Sequence, residues 1–579
     1  MHSFSNLFFI ISLLILQTRI CIIVAIEDKL EHIDPTLPPA LPGQTPKCSI
    51  LILQQDFANT IGAPPAMANY TEPTDCPYPW TRVVLELSVS ASDVQKSRIA
   101  AIWLSGVEIL RTTTPLPMSP GTFWRVQKDI TRYTNLLRQL PGGAAAGTAA
   151  AGDGVKFYMM LENSNERLPG VYMANVSLHF YRGELVDGRR GYTARPTVKG
   201  LYRQPADIIL PVSQSCAGNG FWFRIQNETH IPFSSLTIPR NTYRAVLEIF
   251  ASHHEHDEFW YANPLRPSYS SGEFSNSNGG FRQLYATIDG KFVGGHVPFP
   301  VIYPGGINPY FWSPVAAIGS FDIPTYDLDV TPFLAMMIDG QPHEIGVGVR
   351  DALPHWLVTA NLHLWVDVWS DSVVAGMGEY FAPEVRVNKN GEWRNVEGQS
   401  EVSADGLVRF TGWVASSKGN VTTRVRQKIT FKSQVAVQNG GGVKQVEMTN
   451  KARGDVGLTM GHQILGRVQM FVEAPLQVQS TMETDPSGGV LERTRLFHQL
   501  EEVVNLNENQ VVSSSTLIDR QDAEGSALMH DGMPVWGSGT TKSSYKYRDD
   551  ANVCYLRTVS AEGGEVKFDI SSPSCSAME

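Results

Sequence analysis

Apolar and polar residues alternate along much of this chain with a period of two. Val176, Leu178 and Phe180 alternate with Ser177, His179 and Tyr181, and Leu362, Leu364, Val366 and Val368 alternate with His363, Trp365, Asp367 and Trp369. Successive side chains of a strand point to opposite faces, so each run predicts a strand with one face on a core. Long amphipathic helical patterns are scarce. Gly, Pro and Asn clusters separate the runs, which predicts β-sandwiches. Two stretches resemble each other. Ala101-Ile102-Trp103-Leu104-Ser105-Gly106-Val107 is followed by Asp129-Ile130-Thr131-Arg132-Tyr133 and a strand to Phe180. Tyr285-Ala286-Thr287-Ile288-Asp289-Gly290-Lys291 is followed by Asp329-Val330-Thr331-Pro332-Phe333 and a strand to Trp369. Each reads as strand, turn, D-[IV]-T corner and closing strand, so two related β-sandwich domains in tandem are expected. Beyond about residue 371 the aromatic density falls. Val566-Lys567-Phe568-Asp569-Ile570 still alternates, so a third, more divergent β region is expected there.

A chain of 579 residues is too long for one core. The expected division is a Pro-rich extended leader over 26–47, a first sandwich over 48–182, a polar and basic linker over 183–204, a second sandwich over 205–370 and the C-terminal β region over 371–579. The low-complexity run Pro141 to Gly154 belongs in a surface loop. Acids outnumber bases, 57 to 47, for a net charge of −10. With no basic stripe, this excludes a nucleic-acid partner. Aromatic residues at 10%, with 12 Trp, suit sandwiches or carbohydrate-facing surfaces.

The N-terminus carries an apolar run from Leu7 to Leu16 that continues to Val24 and Ala25 and ends at Ile26, Glu27 and Asp28. It reads as a signal peptide over 1–25. The preceding residues hold His2 and no Lys or Arg, so a signal anchor is the competing reading. No later segment is long and apolar enough to span a bilayer. After Cys21 the chain holds Cys48, Cys76, Cys216, Cys554 and Cys575. In an oxidising compartment the local pairings are Cys48–Cys76 and Cys554–Cys575, which leaves Cys216 over. Sequons at Asn69, Asn175, Asn227 and Asn420 fit a secretory route.

The densest chemistry lies in His253-His254-Glu255-His256-Asp257-Glu258-Phe259-Trp260-Tyr261. Three readings compete. His254 and His256 share a strand face and could begin a metal site, although the spacing matches no zinc signature. The segment could equally be a solvated polar turn. As a cleft edge, it would hold a carboxylate partly desolvated beside Trp260 and Tyr261. Desolvation raises a carboxyl pKa toward that of a useful general acid or base, and aromatic rings stack on sugar faces.

This segment, with Tyr243 to Glu248 before it, resembles the peptide N-glycosidase A family. So do Pro298-Phe299-Pro300-Val301-Ile302, Gly305-Gly306-Ile307-Asn308-Pro309, Phe311-Trp312, Thr331-Pro332-Phe333-Leu334 and Ala360-Asn361-Leu362-His363-Leu364-Trp365. The likeness covers residues 46–370, is densest from 238 to 370, and thins beyond 371. It implies an all-β fold: two tandem jelly-roll β-sandwich domains packed side by side with the site in the groove between them, plus the divergent C-terminal β region. It implies a secreted protein, or one in the lumen of an acidic compartment. The implied partners are N-glycopeptides or glycoproteins, with no cofactor and no metal. The implied reaction is attack of water on the side-chain amide of a glycosylated Asn, giving Asp and a glycosylamine. Such chemistry needs a carboxylate base and donors for the glycan and the oxyanion.

The candidate catalytic residues are Glu258, Glu255 and Asp257. The candidate substrate-binding residues are Arg98, Trp103, Glu162, Trp260 and Tyr261. Two positions depart from the family pattern. The family's acid just before the strand arginine is Ser97 here, and a further acid is Leu116. A hydroxyl is no general base without an activator. Two functions therefore remain open: a hydrolase using a second-domain carboxylate, or a glycan-binding relative that has lost hydrolysis.

Overall fold

In a computed structural model of the chain, the described residues run from 31 to 574. Excepted are 41–42, 139–153, 183–184, 187–188, 191–204, 214–219, 266–276, 487, 509–510, 531–532 and 551–552. The expected signal peptide and most of the expected linker lie outside the described residues, as do Cys216 and Cys575.

Strands dominate. A five-stranded sheet joins Glu31–His32, Phe123–Asp129, Arg82–Ala91, Tyr172–Tyr181 and Cys48–Phe57 in that order. A four-stranded sheet of Ala66–Tyr70, Val155–Leu161, Ile99–Leu104 and Val107–Thr113 accompanies it. Leu85, Val176, Leu178 and Phe180 of the first meet Ile102, Leu104, Phe157 and Met159 of the second in one buried cluster. The alternation of Val176, Leu178 and Phe180 thus does place one face on a core.

A second pair of sheets follows. Ile208–Pro211, Trp356–Val366, Thr242–His253 and Thr325–Asp329 run side by side, with Phe223–Ile225 also pairing along Trp356–Val366. The other sheet holds Phe233–Leu236, His343–Arg350, Gln283–Ile288 and Lys291–His296. The two D-[IV]-T corners take the same form. Asp129 Oδ1 accepts from the Thr131 N–H at 2.9 Å, and Asp329 Oδ1 from the Thr331 N–H at 3.1 Å. Each corner runs into a 3₁₀ turn and then a four-residue helix, Thr134–Leu137 or Leu334–Met337.

Strand Trp356–Val366 departs from the simple alternation, because both of its faces are buried. Leu362 and Leu364 enter the second core, while Thr359, Asn361 and His363 are also buried on the opposite side. Val368 and Trp369, at the end of the alternating run, are exposed past the strand's end.

The C-terminal region is an 11-stranded sheet, antiparallel throughout, with strands as long as Gln463–Thr484. Part of one face docks on the second pair of sheets: Thr541 Oγ1 donates to the Phe311 carbonyl at 2.7 Å. At Gly539 a Cβ would stand 2.5 Å from the Tyr310 carbonyl oxygen, so only a bare backbone fits. The leader is a strap. Glu31 and His32 pair in parallel with Phe123 and Trp124, Ile33 bridges Val315, and Leu37 packs among Tyr545, Tyr547 and Tyr555. Cys48 and Cys76 form a disulfide, and Cys554 is disulfide-bonded too. Among the described residues no helix is long and apolar enough to cross a membrane.

Candidate active site

A buried polar seam joins the two pairs of sheets. Glu248 of the second accepts from Arg132 Nη1 at 2.7 Å and the Tyr133 hydroxyl at 2.7 Å, both from the first. Asn361 Nδ2 (3.1 Å) and His363 Nε2 (3.0 Å) complete the set. Burial alone would raise this carboxyl, but Arg132, His363 and Tyr133 outweigh it and hold Glu248 far below the usual range. Beside it, Arg111 makes a two-pronged bond to Glu108, at 2.7 Å for each prong, with both side chains fully buried. Arg111 also donates to the Leu357 carbonyl and the Ser252 hydroxyl. These groups are saturated and fix the position of one pair of sheets on the other.

The His253–Tyr261 segment sits at the end of this seam. Strand Thr242–His253 stops there and gives way to 3₁₀ turns Glu255–Asp257 and Trp260–Ala262. Glu255 has φ +48° and His355 φ +77°, two non-glycine residues in the left-handed region. Their side chains bond to each other, and the His254 N–H donates to the His355 carbonyl at 2.9 Å. Such conformations persist only where neighbours enforce them, and they gather at functional sites.

Glu258 is half-buried, and its carboxylate has no hydrogen-bond partner among the described residues. Burial raises its pKa above the usual carboxylate value. Tyr303 lies within electrostatic reach of both Glu258 and Arg111. The His254 ring stacks on it, with centroids 5.6 Å apart. His254 Nε2 bonds the Ser252 hydroxyl at 2.9 Å. Burial first, then the surrounding His253, Arg111, Arg224 and His355, keep His254 neutral.

Four expected site residues fall elsewhere. Asp257 is fully buried and saturated: Arg282 grips both oxygens (2.6 and 2.7 Å), and Trp356 Nε1 (2.7 Å) and the Leu353 N–H (2.9 Å) add to Oδ2. Burial pushes it up, but Arg282 and these bonds win and lower its pKa. It is a buried anion held in an ion pair with Arg282. Trp103, Trp260 and Tyr261 are buried in cores and present no open ring face. Large aromatic rings hide more apolar area inside than they could in a cleft, and the sequence alone does not separate the two uses.

Arg224, on the short strand Phe223–Ile225, acts electrostatically on His254 and so lies beside this segment. Glu162, at the end of strand Val155–Leu161, lies 3.4 Å from Arg224 Nη2. Arg98 precedes strand Ile99–Leu104, and its backbone exchanges bonds with Thr114. The Nε groups of Arg98 and Arg224 are buried and without partners among the described residues. Leu116 approaches the loop after Tyr303: a Cβ built on Gly305 would stand 3.6 Å from Leu116 Cδ2. Asp93 is turned to its own loop, accepting from the Val94 N–H at 2.7 Å. Arg224, His355 and Tyr303 escaped the sequence reading; only the aromatic setting of Arg224, in Phe221-Trp222-Phe223-Arg224, hinted at a role.

The arrangement combines a desolvated carboxylate without a partner among the described residues and a partly exposed guanidinium, Arg224, and such groups can activate water and stabilise a developing oxyanion. As for a metal, no three His, Cys, Asp or Glu side chains converge among the described residues. The four sequon asparagines are exposed.

Comparison with known proteins follows this geometry. A family model described as Peptide N-acetyl-beta-D-glucosaminyl asparaginase amidase A matches residues 35–382. The chain is 34% identical over 539 residues to Peptide-N4-(N-acetyl-beta-glucosaminyl)asparagine amidase A of Prunus dulcis, covering 92% of this chain and 91% of that one. Among solved structures, PNGase F, a glycosylasparaginase from Flavobacterium meningosepticum, is 13% identical with a TM-score of 0.33, covering 55% of this chain and 96% of its own. PNGF-II is 9% identical with a TM-score of 0.35, covering 55% and 65%. Likenesses this distant carry no argument about the site.

Proposed function

Since the chain belongs to the peptide N-acetyl-β-D-glucosaminyl asparaginase amidase A family, we propose that it hydrolyses the amide bond joining an N-glycan to asparagine in glycopeptides or glycoproteins. Glu258 is the general base. Its desolvated carboxylate takes a proton from water as the oxygen attacks the amide carbonyl carbon. The oxyanion of the tetrahedral intermediate and the polar groups of the first sugar meet the partly exposed guanidinium groups of Arg98 and Arg224. The proton returns to the departing nitrogen, the C–N bond breaks, and Asp and a glycosylamine leave. Glu162 holds Arg224, and the strained Glu255–His355 pair shapes the rim.

The observation that carries this reading is a half-buried carboxylate without a hydrogen-bond partner among the described residues, in the same segment as His254, on which the Arg224 guanidinium acts. Ser97 offers no base, and Glu258 makes one there unnecessary. We read each of the two pairs of sheets as a jelly roll. We also expect the chain to enter the secretory route with Asn69, Asn175, Asn227 and Asn420 as glycan acceptors.

The test incubates the full chain with a denatured glycopeptide at pH 5 and follows free glycan and the Asn-to-Asp mass change. Release with the mass change is expected, and Glu258→Gln should slow it by at least about 100-fold, the usual worth of a positioned general base. A folded protein that binds glycopeptide but releases nothing would instead be the glycan-binding relative.

A further inference from the structure

The long C-terminal sheet has an outer face as well as the face that docks, and the outer face is hollowed. A cavity of about 580 Å³ opens midway along five of its strands, within the roughly 300–1,000 Å³ typical of small-ligand sites. Two adjacent cross-strand rows form it. One runs Glu447, Gln477, Phe497, Asp522, Lys542. The other runs Gln445, Gln479, Arg495, Glu524, Thr540. Neighbouring strands are 4.7–4.9 Å apart, so each row extends about 19 Å. The alternate residues Val446, Leu496 and Ala523 point the other way and are buried. None of the groove residues around Glu258 takes part.

The lining matches a neutral, many-hydroxyl ligand. The amides of Gln445, Gln477 and Gln479 have no hydrogen-bond partner among the described residues, and each offers both donors and an acceptor. The charges of the lining are mixed, with Glu447, Asp522 and Glu524 beside Arg495 and Lys542, and Arg495 pairs with Glu524 at 3.4 Å. A face of mixed, nearly balanced charge selects neither a polyanion nor a polycation. Phe497 supplies the ring on which a sugar's C–H face can rest. Arg520 lies over one face of that ring, its guanidinium 5.0 Å from the centroid and bonded to Asp522 at 2.8 and 3.1 Å, so a sugar would rest on the other face.

We propose that this trough is a second carbohydrate-binding site, which takes a neutral oligosaccharide of several sugar rings and is separate from the hydrolytic groove. Its occupant needs no amide linkage to peptide. The assignment therefore stands or falls apart from the hydrolase reading.

The test titrates the full chain calorimetrically with a free neutral high-mannose oligosaccharide, which has no amide bond to cut. Saturable binding is expected, unchanged by added salt and by Glu258→Gln, and weakened at least tenfold by Phe497→Ala and by Gln479→Ala. Gln479 is exposed, so its truncation tests the site without disturbing the fold. Release of glycan from a short glycopeptide by Phe497→Ala should equal that of the unaltered protein. No binding, binding indifferent to both trough variants, or binding lost on adding salt would each overturn the proposal.

Discussion

Glu258 is an expensive residue to keep. Its folded pKa is raised by burial, so the folded protein binds a proton more readily there than the unfolded chain does. Stability therefore falls as pH rises from the unfolded carboxyl pKa through the raised folded value. Glu258→Gln should melt at a higher temperature than the unaltered protein at neutral pH. The gain should vanish in acid below the unfolded pKa, as calorimetry at two pH values would show. An equal gain at both pH values would mean that packing, and not charge, causes it. Activity has the opposite sign, because a base must be ionised, and so it should fade as pH drops through the same raised value. Asp257, one residue away, shows why the local sequence could not separate their roles. Both are carboxylates beside aromatic residues, and the difference is Arg282, which reaches one of them from 25 positions along the chain.

Elements explain what was legible and what was not. The strands of both sandwich-like pairs could be read from alternation, and the two Asp-x-Thr corners from their repeat, because those signals are local. The double burial of strand Trp356–Val366 was not legible. His363 belongs to the set that alternates with the apolar face, and only the arrival of Glu248 and its partners makes it interior. The groove wall was hidden for the same reason: Arg224, His355 and Tyr303 come from three separate stretches. The docking of the long sheet depends on absent side chains. Gly539→Ala would drive a methyl against the Tyr310 carbonyl, an oxygen of the backbone that cannot swing aside. Overpacking of this sort costs about 1–3 kcal/mol, and the variant should show it as a lower unfolding midpoint, with the C-terminal sheet more open to protease. A variant indistinguishable from the unaltered protein would show that this contact yields freely.

At the scale of the whole molecule, three β units share one fastening. The strap touches the first pair of sheets through Phe123 and Trp124, the second through Val315, and the long sheet through the tyrosines around Leu37. Leu37→Ala removes a buried side chain from that last contact and should cost about 2–5 kcal/mol. Its signature is a lowered melting temperature together with faster cleavage near the N-terminus. A loss of stability without easier cleavage would mean that the strap stays seated without Leu37. The fastening also has a consequence in time. Glu31 to Leu37 leave the ribosome hundreds of residues before Tyr545 and Tyr555 exist, and loop closure over such a span must await the far end. Leu37 is thus housed only after the last strands have been made, and a molecule interrupted before Tyr545 leaves that side chain without its pocket.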